Sequence, residues 1–134
     1  MNIYLDLDGV ILGSRSSLED CVEFVEYLLD HFAGSLYWLT THCNRGENHV
    51  NYALRGELPD ELVDRMLDNF KETDFGDDKT NAIDFSKPFL WFDDCLTPED
   101  KRALEEHDAL ASHVMMDDKD PQALKKALAL LKSL

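Results

Sequence analysis

A chain of 134 residues can bury about two-thirds of its unfolded surface, so residues 1–134 are expected to form a single domain with a real core. Hydrophobic residues at 44% and charged residues at 31%, with no low-complexity tract, internal repeat or Pro/Gly/Ser-rich linker, exclude a disordered or tandem architecture. The formal net charge of −15, from 28 acidic against 13 basic residues, disfavours nucleic acids and anionic membranes as partners, because no local basic patch interrupts it.

Residues 3–10, IYLDLDGV, begin as a short apolar strand and end in two carboxylates two residues apart, followed by glycine. Carboxylates are costly to desolvate and repel one another, so Asp6 and Asp8 at a strand end ask for a cation or a proton. Leu18, Cys21, Val22, Val25, Leu28, Leu29 and Phe32 then recur at three- and four-residue spacing, with Glu19, Glu23, Glu26 and Asp30 between them. That spacing predicts an amphipathic helix, with Ser16 and Glu19 as its capping box and Gly34 as its left-handed stop. Residues 35–40, SLYWLT, are too few for a helix and rich in aromatics, and they predict a second buried strand ending in hydroxyls.

Helical patterns follow over roughly residues 46–55 and 59–69, separated by Gly56 and Pro59. Residues 70–78, FKETDFGDD, read as a short edge strand and a loop, and residues 79–85 as one or two turns of helix. PFLWFDD is a third apolar run that ends, like the first, in paired carboxylates, Asp93 and Asp94. Thr97-Pro98-Glu99-Asp100 combines a capping threonine, proline at the first position and acids in the first turn, and it starts a helix to about His107. Residues 112–116, SHVMM, form a further strand, and Asp120-Pro121 opens a last helix with Leu124, Ala127, Leu128 and Leu131 on one face.

Strands alternating with helices, most strands being wholly apolar, predict an α/β fold with a mostly parallel sheet covered on both faces. In such sheets ligands bind beyond the carboxyl ends of the strands, where the chain reverses direction. The polar residues there form one candidate site: Asp6 and Asp8, then Thr40, then Lys79, then Asp93 and Asp94.

In order and setting, DLDGV, LYWLTT, DDKT and LWFDD resemble the four motifs of the haloacid dehalogenase superfamily of phosphohydrolases. The resemblance runs from Asn2 to the last helix, and its most specific parts are the DxDGV and the DD pair. It implies a Rossmann-like three-layer α/β/α sandwich without a large cap domain, similar to short bacterial members. It also implies roles. Asp6 would attack phosphorus and carry an aspartyl-phosphate, while Asp8, pointing the same way along an extended segment, would protonate the leaving oxygen and later deprotonate water. Thr40 and Lys79 would hold phosphoryl oxygens. A magnesium ion would bind Asp6, Asp93, the backbone carbonyl of Asp8 and, directly or through water, Asp94.

The implied activity is a magnesium-dependent phosphatase, with a small phosphomonoester or a phosphoprotein as substrate. The same residues suit a phosphotransferase, and the same fold without turnover would make a magnesium- and phosphate-binding regulatory module. A response-regulator receiver is a poorer match, because its acidic pair follows the first strand rather than coming after the lysine.

No apolar run approaches a membrane span, and Met1 leads almost directly into the first strand without a basic and apolar leader, so the cytoplasm is the expected compartment. Cys21, Cys43 and Cys95 are odd in number and lack finger spacing, which suits reduced thiols. His42, Cys43 and His49 lack the paired spacing of a soft-metal site and read as loop or structural residues. Cys43 and Cys95 both follow strand ends and read as inert thiols. Trp38 and Trp91 read as core, and Asp117-Asp118 as loop and cap chemistry.

Overall fold

Each apolar run becomes a strand of one sheet. In the computed structural model, which describes residues 1–134, the strands are β1 (Asn2–Leu5), β2 (Leu36–Trp38), β3 (Phe70–Lys71), β4 (Phe89–Asp93) and β5 (His113–Met115). They lie in the order β3-β2-β1-β4-β5, and every neighbouring pair is parallel. Parallel neighbours need long crossovers. The helices are α1 (Leu18–His31), α2 (Val50–Leu54), α3 (Asp60–Asn69), α4 (Pro98–Glu106) and α5 (Ala123–Lys132), the last following the final strand. None is long and apolar enough to cross a membrane.

The apolar character of residues 3–5 in β1 and 89–92 in β4 follows from burial on both faces. Ile3, Leu5, Leu90 and Phe92 point into a core shared with α1, α2, α3 and α5, where Phe24, Leu28, Leu54, Val63 and Leu124 are fully enclosed. Tyr4, Phe89 and Trp91 point the other way, against Leu104 of α4 and the loop residues Phe75 and Ile83. The first core has 27 buried members and the second seven, so one face is packed by helices and the other mainly by α4 and loops. Trp38 stacks on Phe70 with ring centroids 4.2 Å apart, and both tryptophans are core residues, as their strand positions led us to expect.

Several local expectations shift. The N-cap of α1 is Ser17, whose hydroxyl accepts from the Asp20 amide at 3.1 Å, not Ser16. Two adjacent serines offer the same capping chemistry, and tertiary contact decides between them: the Ser16 hydroxyl faces the amide of Leu124, in the first turn of α5, at 3.4 Å. The helix expected over residues 46–55 shrinks to α2, because the preceding stretch Thr41–Gly46 forms tight 3₁₀ turns broken at Asn44 and Arg45. There the Asn44 side chain accepts from the amides of Phe75 and Gly76 and donates to the Gly76 carbonyl, which ties this loop to the one after β3. The turn after Asp78 is a single 3₁₀ stretch, Lys79–Ala82. Thr97 caps α4 and Pro98 opens it.

The strand order places a topological switch between β1 and β4. The chain runs outward through β2 and β3, then crosses back to lay β4 on the other side of β1. A crevice at such a point, beyond the carboxyl ends of the strands, is where open α/β sheets bind ligands.

Phe24 meets Phe92 edge-on at 5.4 Å, joining α1 to the centre of the sheet. Phe24→Ala should therefore lower the unfolding free energy by about 3–5 kcal/mol in urea titrations, the usual range for a buried aromatic truncated to alanine. A loss under about 1 kcal/mol would mean that α1 does not anchor this core.

Candidate functional site

Parallel pairing of β1 with β4 brings Leu5 opposite Phe92, and the Asp6 amide donates to the Phe92 carbonyl at 3.1 Å. Asp6 and Asp93 are thereby set side by side at the switch point. Both are buried, at 6% and 1% exposure, while Asp94 is exposed beside them. Carboxylate oxygens of all three lie within 4.8 Å of one another.

Lys79 reaches this cluster from the loop before β4. Its Nζ lies 3.2 Å from Asp6 Oδ2 and 2.6 Å from Asp93 Oδ2. The remaining oxygens meet backbone amides: Asp6 Oδ1 accepts from Leu7 at 2.8 Å, and Asp93 Oδ1 from Cys95 at 3.0 Å. Each buried carboxylate thus has one oxygen on the main chain and one on the same ammonium. The turn that carries Lys79 is fixed in its own right, since the amide and the hydroxyl of Thr80 both donate to Asp100 Oδ1, at 3.0 and 2.8 Å. Asp100 is buried and is itself held by the Thr97 cap at 3.1 Å.

One ammonium cannot neutralise two buried carboxylates. Burial, and then the charge of Asp6, push the Asp93 carboxyl up to about 7 despite its bond to Lys79. Burial works to lower the Lys79 ammonium, but the Coulombic pull of Asp6 and Asp93 outweighs it and holds the group above the ordinary lysine range. Counting Asp94, three carboxylates and one ammonium leave two formal negative charges, matching one divalent cation. Oxygen-only donors of this kind fit a hard cation such as magnesium, which binds through one or two carboxylates and keeps several waters.

The turn after Asp6 is wound tightly around one acceptor. The Leu7 carbonyl receives the amides of Val10, Ile11 and Leu12 at 3.2, 2.9 and 2.8 Å, and the Gly9 amide donates to Leu12 at 2.7 Å. Gly9 does more here than permit a turn. Its φ is +79°, and a Cβ placed on it would sit 2.0 Å from Asp94 Oδ2, so the missing side chain makes room for that carboxylate. Because the chain turns here instead of staying extended, the Asp8 side chain does not join the three converging acids. It is 68% exposed, and its Oδ2 lies 3.0 Å from His42 Nε2.

Thr40 is fully buried, and its hydroxyl accepts from the His42 amide at 3.4 Å as the cap of the Thr41–Gly46 turns. The neighbouring Thr41 instead lines a cavity of about 190 Å³, together with Phe75, Lys79, Asp93, Cys95 and Thr97. A larger cavity, about 480 Å³, lies away from these acids between β5 and α5, lined by Val114, Met116 and Ala127 among others.

Four contributors have no signature in the sequence pattern: Thr41, His42 as a partner of Asp8, and the pair Thr80 and Asp100. Asp100 was legible only as part of a helix start, and nothing local reveals that it reaches back to Thr80. Of the remaining candidates, Cys43 is buried, its thiol pushed up by burial, with Sγ toward the carbonyls of Thr40 and Thr73. Cys95 is exposed, and His49 lies 3.0 Å from Glu47. Asp117 Oδ1 accepts from Lys119 at 3.0 Å, and the Asp118 carbonyl accepts from Arg15 at 2.8 Å, both loop chemistry.

Compared with known proteins, the chain matches no protein-family model, no curated protein and no solved structure.

The charge imbalance has a measurable consequence. Because the folded chain holds the Asp93 proton more tightly than the unfolded chain, protonated Asp93 favours the fold at low pH, and that contribution is lost as pH rises through about 7. In metal-free buffer, wild-type melting temperature should fall relative to Asp93→Asn between about pH 4 and about pH 7. Parallel curves for the two proteins across that window would remove excess negative charge as a property of the site.

Proposed function

We propose that this protein is a magnesium-dependent phosphohydrolase of the haloacid dehalogenase type, working through an aspartyl-phosphate at an open site without a large cap. The observation that carries the reading is the convergence of Asp6, Asp93 and Asp94 on one another, with Lys79 bonded to the two buried acids, at the switch point of an all-parallel sheet.

Asp6 is the nucleophile. Its carboxylate forms a bond to phosphorus as the bond to the leaving oxygen breaks, and that oxygen keeps the electron pair and takes a proton from Asp8. In the second half, Asp8 takes a proton from a water that attacks the same phosphorus, and Asp6 leaves as carboxylate with release of inorganic phosphate. Lys79 offsets charge on the phosphoryl oxygens, and its bonds to Asp6 and Asp93 set its position. The Thr40 hydroxyl has a proton left to donate after accepting from His42, and Thr41 adds a second hydroxyl on the cavity wall. Asp6, Asp93 and Asp94, with the Asp8 carbonyl, would hold the magnesium, which when bound supplies the positive charge that lets an anionic phosphate approach four acids.

The strand order also favours this reading over a receiver. Receivers follow the order 2-1-3-4-5, whereas here β1 lies between β2 and β4, and the late acidic pair follows β4. Three free cysteines suit a reducing cytoplasm.

Phosphate release from a panel of phosphomonoesters should require magnesium and should vanish in Asp6→Asn, with its melting curve retained. Full turnover by Asp6→Asn would falsify the nucleophile assignment. Calorimetric titration with magnesium should show weaker binding to Asp94→Ala than to wild type; an unchanged isotherm would take Asp94 off the ligand set.

A further inference from the structure

We infer that His42 is the positioning residue for the proton donor, holding the Asp8 carboxylate by one oxygen so that the other is presented to the leaving group. This inference rests on the phosphohydrolase reading above. Asp8 projects from a turn with a side chain 68% exposed, and the contact recorded for its carboxylate is His42 Nε2, at 3.0 Å from Oδ2. A carboxyl so exposed has several rotamers open to it, and misplacing a catalytic group by about 1 Å costs roughly a hundredfold in rate.

His42 is well built to prevent that. Its amide is held by the Thr40 hydroxyl at 3.4 Å, its carbonyl accepts from the His49 amide at 2.8 Å, and its side chain is only 25% exposed. Asn44, two residues on, ties the same loop to Phe75 and Gly76. The backbone that carries the imidazole is therefore a fixed point, against which the exposed Asp8 carboxylate is held. A neutral imidazole protonated at Nε2 donates to Oδ2 and leaves Oδ1 to carry the proton that the leaving oxygen receives as its bond to phosphorus breaks. On hydrolysis of the intermediate, the same Oδ1 takes a proton back from the attacking water.

The test exploits how much help a leaving group needs. An alkoxide requires a proton as it departs, whereas an acidic phenolate such as 4-nitrophenolate leaves without one. His42→Ala should lower kcat/KM, which ends at formation of the aspartyl-phosphate and so excludes the hydrolysis that Asp8 serves for both esters, by about tenfold to a hundredfold for alkyl phosphates and by less than about threefold for 4-nitrophenyl phosphate. His42→Gln, whose side-chain amide still donates a hydrogen bond, should recover most of the alkyl phosphate rate. Equal losses of kcat/KM on both esters would overturn the positioning role, as would no rescue by glutamine in a variant that melts like wild type. Absence of magnesium-dependent turnover in the wild type on either ester would instead sink the phosphohydrolase reading, and the assignment of His42 with it.

Discussion

The ammonium of Lys79, shared between Asp6 and Asp93, is the contact that the rest of the site is arranged around. Bringing two carboxylates out of water at adjacent strand ends costs several kcal/mol per ion unless a counter-charge and hydrogen bonds meet them. Here both are met: each acid has one oxygen on a backbone amide and the other on the same lysine. That arrangement depends on register. Side chains alternate faces along a strand, so a one-residue slip of β4 against β1 would turn Asp93 away from Asp6 and carry Leu90 and Phe92 out of the larger core to the opposite face as well. The pairing that builds the larger core therefore also builds the site.

Lys79 could not serve this purpose from a loose loop. Its turn is anchored by Thr80 to Asp100 in the first turn of α4, and α4 is the helix that covers the less heavily packed face of the sheet. The thin side of the molecule thus has a second duty besides enclosing Tyr4 and Trp91. It delivers the one cation that the central acids share. Even so the balance is incomplete, and the tight turn through Gly9 adds Asp94 to the cluster instead of keeping it away. A fold selected for stability alone would have no reason to clear space for a further acid beside two that already lack full compensation.

Much of this was legible in the sequence, and the parts that were not share a cause. Strands and helices could be read because burial imposes a period on local sequence, as in Leu18 through Leu29 on α1 or the unbroken run Phe89 to Phe92 in β4. The acids at the ends of β1 and β4 could be read because charge directly after an apolar run is locally anomalous. The choice of Ser17 over Ser16 as the cap of α1, the breaking of the helix after residue 46, the anchoring of Lys79 through Asp100 and the contact of Asp8 with His42 are all settled between residues far apart in the chain. His42 stands 34 positions from Asp8, and no periodicity encodes that distance. The expected extended path from Asp6 to Asp8 failed for a different reason: the Leu7 carbonyl captures three amides, and the chain coils at once.

That coil separates the two acids of the DxD segment into different environments, and on the phosphohydrolase reading the difference suits two different tasks. Asp6 is enclosed, doubly bonded and aligned by the sheet, as a group that must meet phosphorus in one geometry should be. Asp8 stands in solvent at the rim, restrained by a single side chain, where it can exchange a proton with a leaving group and then with water. The cost of such a rim is that the protein itself does not exclude solvent from the reaction. The chain between Thr40 and β3 is mostly the short turns after β2, α2 and α3, and α3 is packed into the larger core through Leu62, Val63 and Met66, so no sizeable lid is present to do so. On the phosphohydrolase reading, water exclusion then falls to whatever the phosphate is attached to, and a substrate with a broad surface of its own meets that need better than a small phosphomonoester.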